Sequence, residues 1–118
     1  MAHDLFSVKA EKYAHMIYAI SKKLPKDEAF GITSQLRRAS LSVPLNIVEG
    51  YARQSTRTQV QFLNVAFGSL KESQFLIGFI VKEGLLDQSD AQPSIELGDE
   101  LARMIWSKTK TLKQKIKI

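Results

Sequence analysis

The sequence predicts an all-α fold, an antiparallel up-down four-helix bundle, with residues 1–118 forming a single domain. Two observations support this fold class. Apolar residues recur at three- and four-residue spacing in four successive segments, and no segment shows the strict alternation typical of a half-buried strand. Short polar links separate the segments, which favours antiparallel neighbours. We therefore expect four helices packed around one apolar core.

The first helix is expected over residues 4–24. Asp4 is a candidate N-cap because its carboxylate can accept a hydrogen bond from a backbone N–H group of the first turn. Pro25 ends the helix, since a proline disfavours the helical conformation of the residue before it. Residues 26–30 form a short link to the second helix, for which Thr33 is the candidate cap.

The second helix contains Pro44 and ends near Gly50 and the polar residues 54–56. Proline has no N–H group and crowds the carbonyl group four residues earlier, so we expect a kink at Pro44. Apolar side chains lie on several sides of this helix, at Val43, Leu45, Ile47 and Val48. A surface helix of a small monomer shows a single apolar stripe. The pattern therefore predicts that a partner covers this helix in addition to the core.

The third helix is expected over residues 56–83, followed by Gly84 at the C′ position, which favours glycine. Its apolar residues form two adjoining stripes, so this helix too is expected to pack on two sides. The polar residues 87–93 predict a loop. The fourth helix is therefore expected to begin near Ser94 and to carry apolar residues at helical spacing as far as Ile116.

The net charge of +5 is unevenly distributed along the chain. Six of the 17 Lys and Arg residues lie within residues 103–118, and none of the 12 Asp and Glu residues does. A basic segment of this kind suits a polyanionic partner. It also suits the C-terminal end of a helix, where cations offset the negative end of the helix dipole.

Basic residues in two regions are candidates for nucleic-acid binding. They are Arg37, Arg38, Arg53, Arg57, Lys108, Lys110, Lys113, Lys115 and Lys117. The planar guanidinium group can donate two hydrogen bonds to a phosphate, and rows of lysine give salt-sensitive, sequence-tolerant binding. Two alternatives remain open. The lysines can be a solvated helix face, and Arg38 can belong to a polar seam that holds the second helix against a neighbour.

A second set of residues is expected to serve the fold or the assembly of an oligomer. These residues are Pro44, Asn46, Ile47, Glu49, Gly50 and Gly68. We expect Asn46 to satisfy backbone groups that Pro44 releases. We expect Glu49 to pair with Arg53, four residues later on the same helix face. Gly68 is expected to permit the close approach of another helix.

No motif indicates catalysis, a metal site or a cofactor. The chain has no Cys, no Gly-rich phosphate loop, no nucleophile elbow and no HExxH pattern. His15 follows Glu11 by one helical turn, but carboxylate metal sites in bundles need a repeated Glu-x-x-His pattern. We therefore expect no enzyme activity and no cofactor. The absence of Cys and of an apolar run of about 18 residues favours a cytoplasmic location without a membrane partner.

Three motifs resemble those of a known bacterial family. They are QLRRA at residues 35–39, P-x-N-I-x-E-G at residues 44–50 and GSL at residues 68–70. They are similar to the four-helix-bundle proteins encoded within intervening sequences of large-subunit ribosomal RNA genes. Two positions depart from the family pattern: Val48 replaces the more frequent Ala, and no Trp occurs near Val8.

The resemblance implies a ring-like homo-oligomer, a homopentamer similar to the accessory variability proteins of diversity-generating retroelements. Those relatives work with a reverse transcriptase and bind nucleic acid. We therefore expect a non-catalytic, oligomeric protein that binds nucleic acid, RNA rather than DNA, through basic surface residues. The alternative is an interaction scaffold that binds a partner protein without touching nucleic acid. Because Tyr13, Tyr18, Tyr51 and Trp106 are scattered along the sequence, we expect backbone recognition rather than base stacking.

Overall fold

The computed structural model describes residues 4–116. These residues form four α-helices, α1 Leu5–Ser21, α2 Ile32–Tyr51, α3 Thr56–Lys82 and α4 Gln88–Gln114, with a short 3₁₀ helix at Lys26–Glu28. No strand occurs between residues 4 and 116. The prediction of an all-α chain with four helices is therefore confirmed.

Local chemistry explains several of the helix ends. The Asp4 carboxylate caps α1 by accepting a hydrogen bond from the Ser7 N–H group at 2.7 Å, as predicted. Gly84 follows α3 with a φ of 75°, the left-handed conformation expected at C′. The cap predicted for α2 is wrong. Helical hydrogen bonding begins at Gly31, whose carbonyl accepts from the Gln35 N–H group at 3.1 Å, so Thr33 lies inside the helix and is buried.

The predicted loop over residues 87–93 is also wrong, because α4 begins at Gln88 and Asp87 is its N-cap residue. Pro93 lies inside α4 and cannot donate a hydrogen bond to the preceding turn. Ala91 and Ser94, on either side of Pro93, are almost completely buried, with exposed fractions of 0% and 1%. Burial of this first part of α4 against the core therefore outweighs the local cost of the proline.

Each long helix packs against two others. α1 and α3 both contact α2 and α4. The four helices thus enclose one apolar core, and the described part of the chain extends over 49 × 26 × 24 Å. The largest apolar side chains that are fully buried in this core are Tyr13, Ile17, Leu36, Val43, Ile47, Leu70, Ile77, Ile80, Leu101 and Ile105. Burial of one such aliphatic side chain contributes about 1.5–3 kcal/mol, so the core dominates the stability of the subunit.

Candidate nucleic-acid interface

Four helix termini meet at one end of the molecule. Tyr51, the last residue of α2, contacts Phe6 near the start of α1 with ring centroids 6.4 Å apart. The Lys108 ammonium group of α4 lies 5.9 Å from the centroid of the Tyr51 ring. Gly50 of α2 faces Phe62 near the start of α3. The beginnings of α1 and α3 therefore lie beside the ends of α2 and α4.

Cations from three separate segments gather at this end, which we call the basic end and define as Arg53, Arg57, Lys108, Lys110, Lys113 and Lys115. All six side chains are exposed. Of the nine basic residues proposed from the sequence, these six therefore belong to the same end of the subunit although up to 62 positions separate them in the chain. Lys117 lies outside the described residues.

The four lysines of the basic end form two rows beside a buried line of α4. Thr109 and Leu112 on that line are 7% and 8% exposed. Lys108 lies on the side of α4 that faces Tyr51, and Lys115, two turns later, follows on the same side. Lys110 and Lys113 lie on the other side of the line. The basic end is therefore a broad cationic surface wrapped around the end of α4.

Arg53 is held loosely at the basic end. Its guanidinium group lies 3.5 Å from the Glu49 carboxylate and 5.1 Å from the centroid of the Phe62 ring. The i,i+4 pair expected from the sequence is thus present. Both charged groups are about half exposed, and exposed ion pairs contribute little to stability. The Arg53 guanidinium group can therefore exchange this carboxylate for a phosphate group at small cost.

The acidic side chain of Asp4 also lies at this end. Burial would raise the pKa of Asp4, but the hydrogen bond from the Ser7 amide and the nearby Tyr51 hydroxyl outweigh burial and lower that pKa below its ordinary value. Burial and the neighbouring Asp4 carboxylate both raise the pKa of Tyr51. At neutral pH, Asp4 is therefore charged and Tyr51 is neutral. The Asp4 charge is committed to the cap of α1 and to Tyr51.

The structure separates Arg37 and Arg38 from the basic end. Arg38 lies 13 residues before Tyr51, the last residue of α2, which corresponds to about 20 Å along the helix. The Arg37 side chain connects α2 to α1, because its Nε atom donates to the Ser21 Oγ atom at 2.7 Å and its guanidinium group lies 5.1 Å from the centroid of the Tyr18 ring. Arg37 therefore has a structural role within the subunit, whereas Arg38 is exposed.

Asn46 forms part of a polar bridge between α2 and α3. Its Nδ2 group donates to the carbonyl and the hydroxyl oxygens of Ser42 at 2.8 and 2.9 Å. The Ser42 hydroxyl in turn lies 2.7 Å from that of Ser69. The carbonyl that loses its helical donor at Pro44 is that of Ser40, so Asn46 does not satisfy the group for which the sequence suggested it. α2 continues through Pro44 as far as Tyr51.

Ile47 and Gly50 hold the subunit together from inside. Ile47 is completely buried in the core of its own subunit, so it is not available as a contact to another copy. A Cβ atom added at Gly50 would lie 3.3 Å from the Cβ atom of Phe62, so the small size of glycine permits α2 and α3 to approach closely. Glu49 is exposed on the same helix.

The role expected for Gly68 belongs instead to Gly98. No atom lies within 4 Å of a Cβ atom added at Gly68, so no other helix of the subunit approaches it. A Cβ atom at Gly98 would lie 3.1 Å from the Tyr13 ring and from the Gln74 side-chain nitrogen. Sequence reasoning missed Gly98. The available signal was a glycine in the middle of a predicted helix, where glycine costs about 1 kcal/mol relative to alanine.

Two apolar surfaces remain outside the core. One is a groove of about 350 Å³ between α1 and α2, lined by apolar and aromatic residues that include Tyr18, Leu41, Leu45 and Val48. The other is the outer face of α3, where Val65, Phe75 and Phe79 are exposed by 52%, 71% and 45%. Exposed apolar side chains grouped on one face of a helix are typical of interaction sites.

Metal binding and membrane insertion have little support among residues 4–116. Within that range no group of three or more His, Asp or Glu side chains is placed to hold a metal ion. His15 Nε2 lies 3.1 Å from the Glu11 carboxylate, and both residues are exposed. None of the four described helices combines the length and the apolar character needed to cross a membrane.

Comparison with known proteins identifies the family. Residues 6–107 match the family model of the 23S rRNA-intervening sequence protein. A crystal structure of a protein with unknown function from the S23 ribosomal protein family of Bacteroides thetaiotaomicron has the same fold, with a TM-score of 0.84 and 20% identity over 90% of this chain and 99% of that chain. No curated protein matches the sequence. Because the family model covers most of its length, this chain belongs to the 23S rRNA-intervening sequence protein family.

Proposed function

We propose that this protein is a non-catalytic, homo-oligomeric accessory protein that binds RNA through its basic end. The observation that carries the proposal is the gathering of Arg53, Arg57 and the α4 lysines at one end of the subunit. Residues 101–116 contain no acidic residue to oppose them. The family is named after an intervening sequence of 23S rRNA, which supports RNA rather than DNA as the polyanion.

The basic end suits recognition of a phosphate backbone. Its cations are exposed and lie on more than one side of α4, so they can follow a curved or double-stranded backbone rather than read one base. Such contacts release counterions, and affinity then falls steeply as the salt concentration rises. Binding through the basic end is therefore expected to tolerate changes of RNA sequence and to depend strongly on ionic strength.

The oligomeric part of the proposal is supported by the exposed apolar surfaces. A second copy of the chain that covers the α1–α2 groove or the outer face of α3 would remove their apolar side chains from water. We infer a ring-like homopentamer of antiparallel up-down bundles, with α2 kinked at Pro44, in line with the resemblance to the retroelement accessory proteins. A ring presents several basic ends at once, so weak individual contacts add up to useful affinity. Such a protein would act in the cytoplasm.

Matched lysine substitutions test the proposal. Replacement of Lys108, Lys110, Lys113 and Lys115 by Gln removes four charges from the basic end. Replacement of Lys22, Lys23, Lys26 and Lys82, which are also exposed, removes four charges where α1 and α3 end. Affinity for a hairpin RNA is measured by fluorescence anisotropy at several salt concentrations.

We expect the first variant to bind at least about tenfold more weakly at low salt, with a reduced salt dependence, because each phosphate contact contributes about 0.7–0.9 to the slope of log K against log salt. The second variant should bind RNA only slightly more weakly than wild type, through the reduction of its net charge. Equal losses in both variants would show that net charge alone attracts RNA and would contradict a specific role of the basic end.

A protein-interaction scaffold is the second candidate, and the α1–α2 groove is the observation that favours it. A partner helix could place apolar side chains against Leu41, Leu45 and Val48. An oligomer that binds no RNA even at low salt, yet retains its assembly, would favour this candidate over the first.

A further inference from the structure

Trp106 is a large aromatic side chain that the core does not use. It is 66% exposed although its neighbours Ile105 and Thr109 in α4 are buried. The side chain has a fixed neighbour, because its ring centroid lies 6.3 Å from that of Phe67 in α3, with an angle of 48° between the planes. Phe67 is itself half-buried against the core. Trp106 is therefore supported from one side and accessible from others.

Three cations are placed near this aromatic pair, one by a contact and two by helical spacing. Arg103 and Lys110 precede and follow Trp106 by three and four residues, so they share its face of α4, and both are exposed. From α3, the Lys71 ammonium group lies 5.7 Å from the centroid of the Phe67 ring. Lys71 thus contacts the Phe67 ring of the pair, while the helical spacing places Lys110 and Arg103 next to Trp106, with Arg103 also lining the groove between α4 and Phe6.

The two acidic residues of α4 nearest to Trp106 in the sequence precede it, and among the described residues only one of them has a cationic partner. The Asp99 carboxylate accepts a hydrogen bond from the Gln74 side chain at 3.0 Å, and Glu100 forms an ion pair with Lys9. No acidic residue follows Glu100 in α4. Arg103, Lys110 and Lys71 outnumber the Asp99 carboxylate, so the surface around Trp106 is positive as well as aromatic.

We propose that Trp106, with Arg103, Lys110 and Lys71 around it, is a stacking site for an unpaired nucleotide. The inference rests on the proposed RNA-binding function and adds a specific contact to it. An aromatic ring offers a flat surface to any base, and neighbouring cations pair with the phosphates on either side, which is the arrangement by which proteins hold single-stranded nucleic acid. A protein partner that covers the indole ring would need carboxylates of its own to pair with the three cations, whereas each nucleotide carries its own phosphate.

The proposed stacking site adjoins the basic end. Lys110 belongs to the basic end and also lies one turn from Trp106, so the two surfaces are continuous along α4. A hairpin RNA could place its double-stranded stem against the basic end and an unpaired base against Trp106. The sequence alone pointed away from base stacking because Trp106 and Phe67 are far apart in the chain, and only the packing of α3 on α4 brings them together.

The chain contains a single Trp, so tryptophan fluorescence reports on this site alone. The assembled protein is titrated with a single-stranded oligonucleotide RNA, with a fully paired RNA duplex that has blunt ends, and with heparin, a polyanion without bases. We expect the single strand to quench the Trp106 emission strongly, heparin to leave it nearly unchanged while still binding, and the duplex to have an intermediate or small effect.

Substitutions separate stacking from other contacts. Trp106→Leu keeps an apolar side chain but removes the ring, and Trp106→Phe keeps a smaller ring. Measured by anisotropy of a labelled RNA, Trp106→Leu should bind the single strand about tenfold more weakly, and Trp106→Phe should lose about threefold or less, since one stacked base contributes a factor of this order. Affinity for the duplex should remain the same in both variants.

Three outcomes would overturn the inference. If the single strand binds without quenching and Trp106→Leu binds normally, the stacking site is wrong while RNA binding through the basic end stands. If acrylamide cannot quench Trp106 in the free oligomer and Trp106→Leu dissociates the oligomer, the ring belongs to a subunit interface. If no nucleic acid binds at low salt, the proposed function fails and the stacking site fails with it.

Discussion

The middle of the subunit and its basic end use polar side chains in opposite ways. In the middle, the Tyr13 hydroxyl lies 2.7 Å from the Ser73 hydroxyl, and Ser73 donates to the Leu70 carbonyl. These groups are buried and satisfy one another. At the basic end, the lysines of α4 are exposed, and the ion pair between Glu49 and Arg53 is long and half exposed. Buried polar groups fix the arrangement of the helices, whereas exposed cations remain available to a ligand.

This difference explains why some of the predicted nucleic-acid-binding residues have a structural role and others remain exposed. Arg37 was chosen from the sequence as a possible phosphate ligand, but the structure places it among the satisfied groups through its hydrogen bond to Ser21. Arg53 was chosen for the same reason and lies among the exposed cations. A residue type alone does not decide the role, because the role depends on whether the neighbouring helix supplies a partner.

The largest expected effect comes from a charge placed in the core. Ile47→Asp would bury a carboxylate without a partner and also remove a completely buried apolar side chain. We expect a loss of at least about 4 kcal/mol in the free energy of unfolding, so that the subunit does not fold. Circular dichroism during thermal unfolding measures this loss.

Val48→Asp is the matched control because Val48 follows Ile47 directly and is 47% exposed. We expect this variant to fold with a nearly unchanged melting temperature and to dissociate if the α1–α2 groove contacts another copy. A normally folded Ile47→Asp subunit would contradict the assignment of Ile47 to the core.

Two glycines in the middle of helices should respond with opposite signs. Gly98→Ala places a Cβ atom 3.1 Å from the Tyr13 ring, so we expect it to lower the free energy of unfolding by about 1–3 kcal/mol. Gly68→Ala meets no atom within 4 Å and improves helix propensity, so we expect a gain of about 0.5–1 kcal/mol. Urea denaturation measures both values. A loss at Gly68 would indicate that another copy of the chain approaches α3 there.

The buried Tyr13 hydroxyl should make stability depend on alkaline pH. Burial raises the pKa of Tyr13 to about 12 from an ordinary value of 10.0. The folded state holds the Tyr13 proton more tightly than the unfolded state does. The contribution of this group to the free energy of unfolding is therefore fully present below pH 10 and is lost as the pH rises towards 12. The loss amounts to about 2 kcal/mol.

Tyr13→Phe tests this prediction. The variant should lose about 1 kcal/mol at neutral pH, because the Ser73 hydroxyl loses a partner, and its stability should fall less between pH 10 and 12. Tyr18→Phe is the control, because Tyr18 is 37% exposed and the substitution breaks no buried hydrogen bond between side chains. The same alkaline loss in wild type and Tyr13→Phe would show that another group titrates.

The smallest effect on stability is expected at the basic end. Replacement of Lys108, Lys110, Lys113 and Lys115 by Gln should change the free energy of unfolding by less than about 1 kcal/mol, because exposed charges contribute little to folding. The loss of favourable interaction with the dipole of α4 is offset by relief of repulsion among the lysines. Unfolding of this variant in urea, compared with wild type, checks the value. A large loss would mean that the lysines hold α4 in place.

Local features were predictable from the sequence where short-range chemistry decides them. The Asp4 cap and the left-handed Gly84 follow from the properties of those residues and their immediate neighbours. The apolar spacing predicted four helices for the same reason. The start of α4 was not predictable in this way, because Pro93 favours a loop locally and only the burial of Ala91 and Ser94 against the core overrides it.

The candidate site was predictable only in part. Sequence pointed to the basic character of the last helix, since the lysines are adjacent in the chain. It could not show that Arg53 and Arg57 lie at the same end of the subunit as these lysines, nor that Trp106 meets Phe67, because both facts depend on how the helices pack. The sequence also led us to expect the close approach of another helix at Gly68, whereas the structure has it at Gly98. Both are helical glycines, and only the position of the neighbouring helix distinguishes them.

The most direct test of the central claim is the mass of the particle in solution with and without RNA. Light scattering at low and at high salt, with a structured RNA that contains a long hairpin, measures assembly and binding together. The account predicts an oligomer, a pentamer under the ring proposal, that gains the mass of RNA at low salt and releases it at high salt. An oligomer of constant mass that ignores the RNA under both conditions would contradict RNA binding through the basic end.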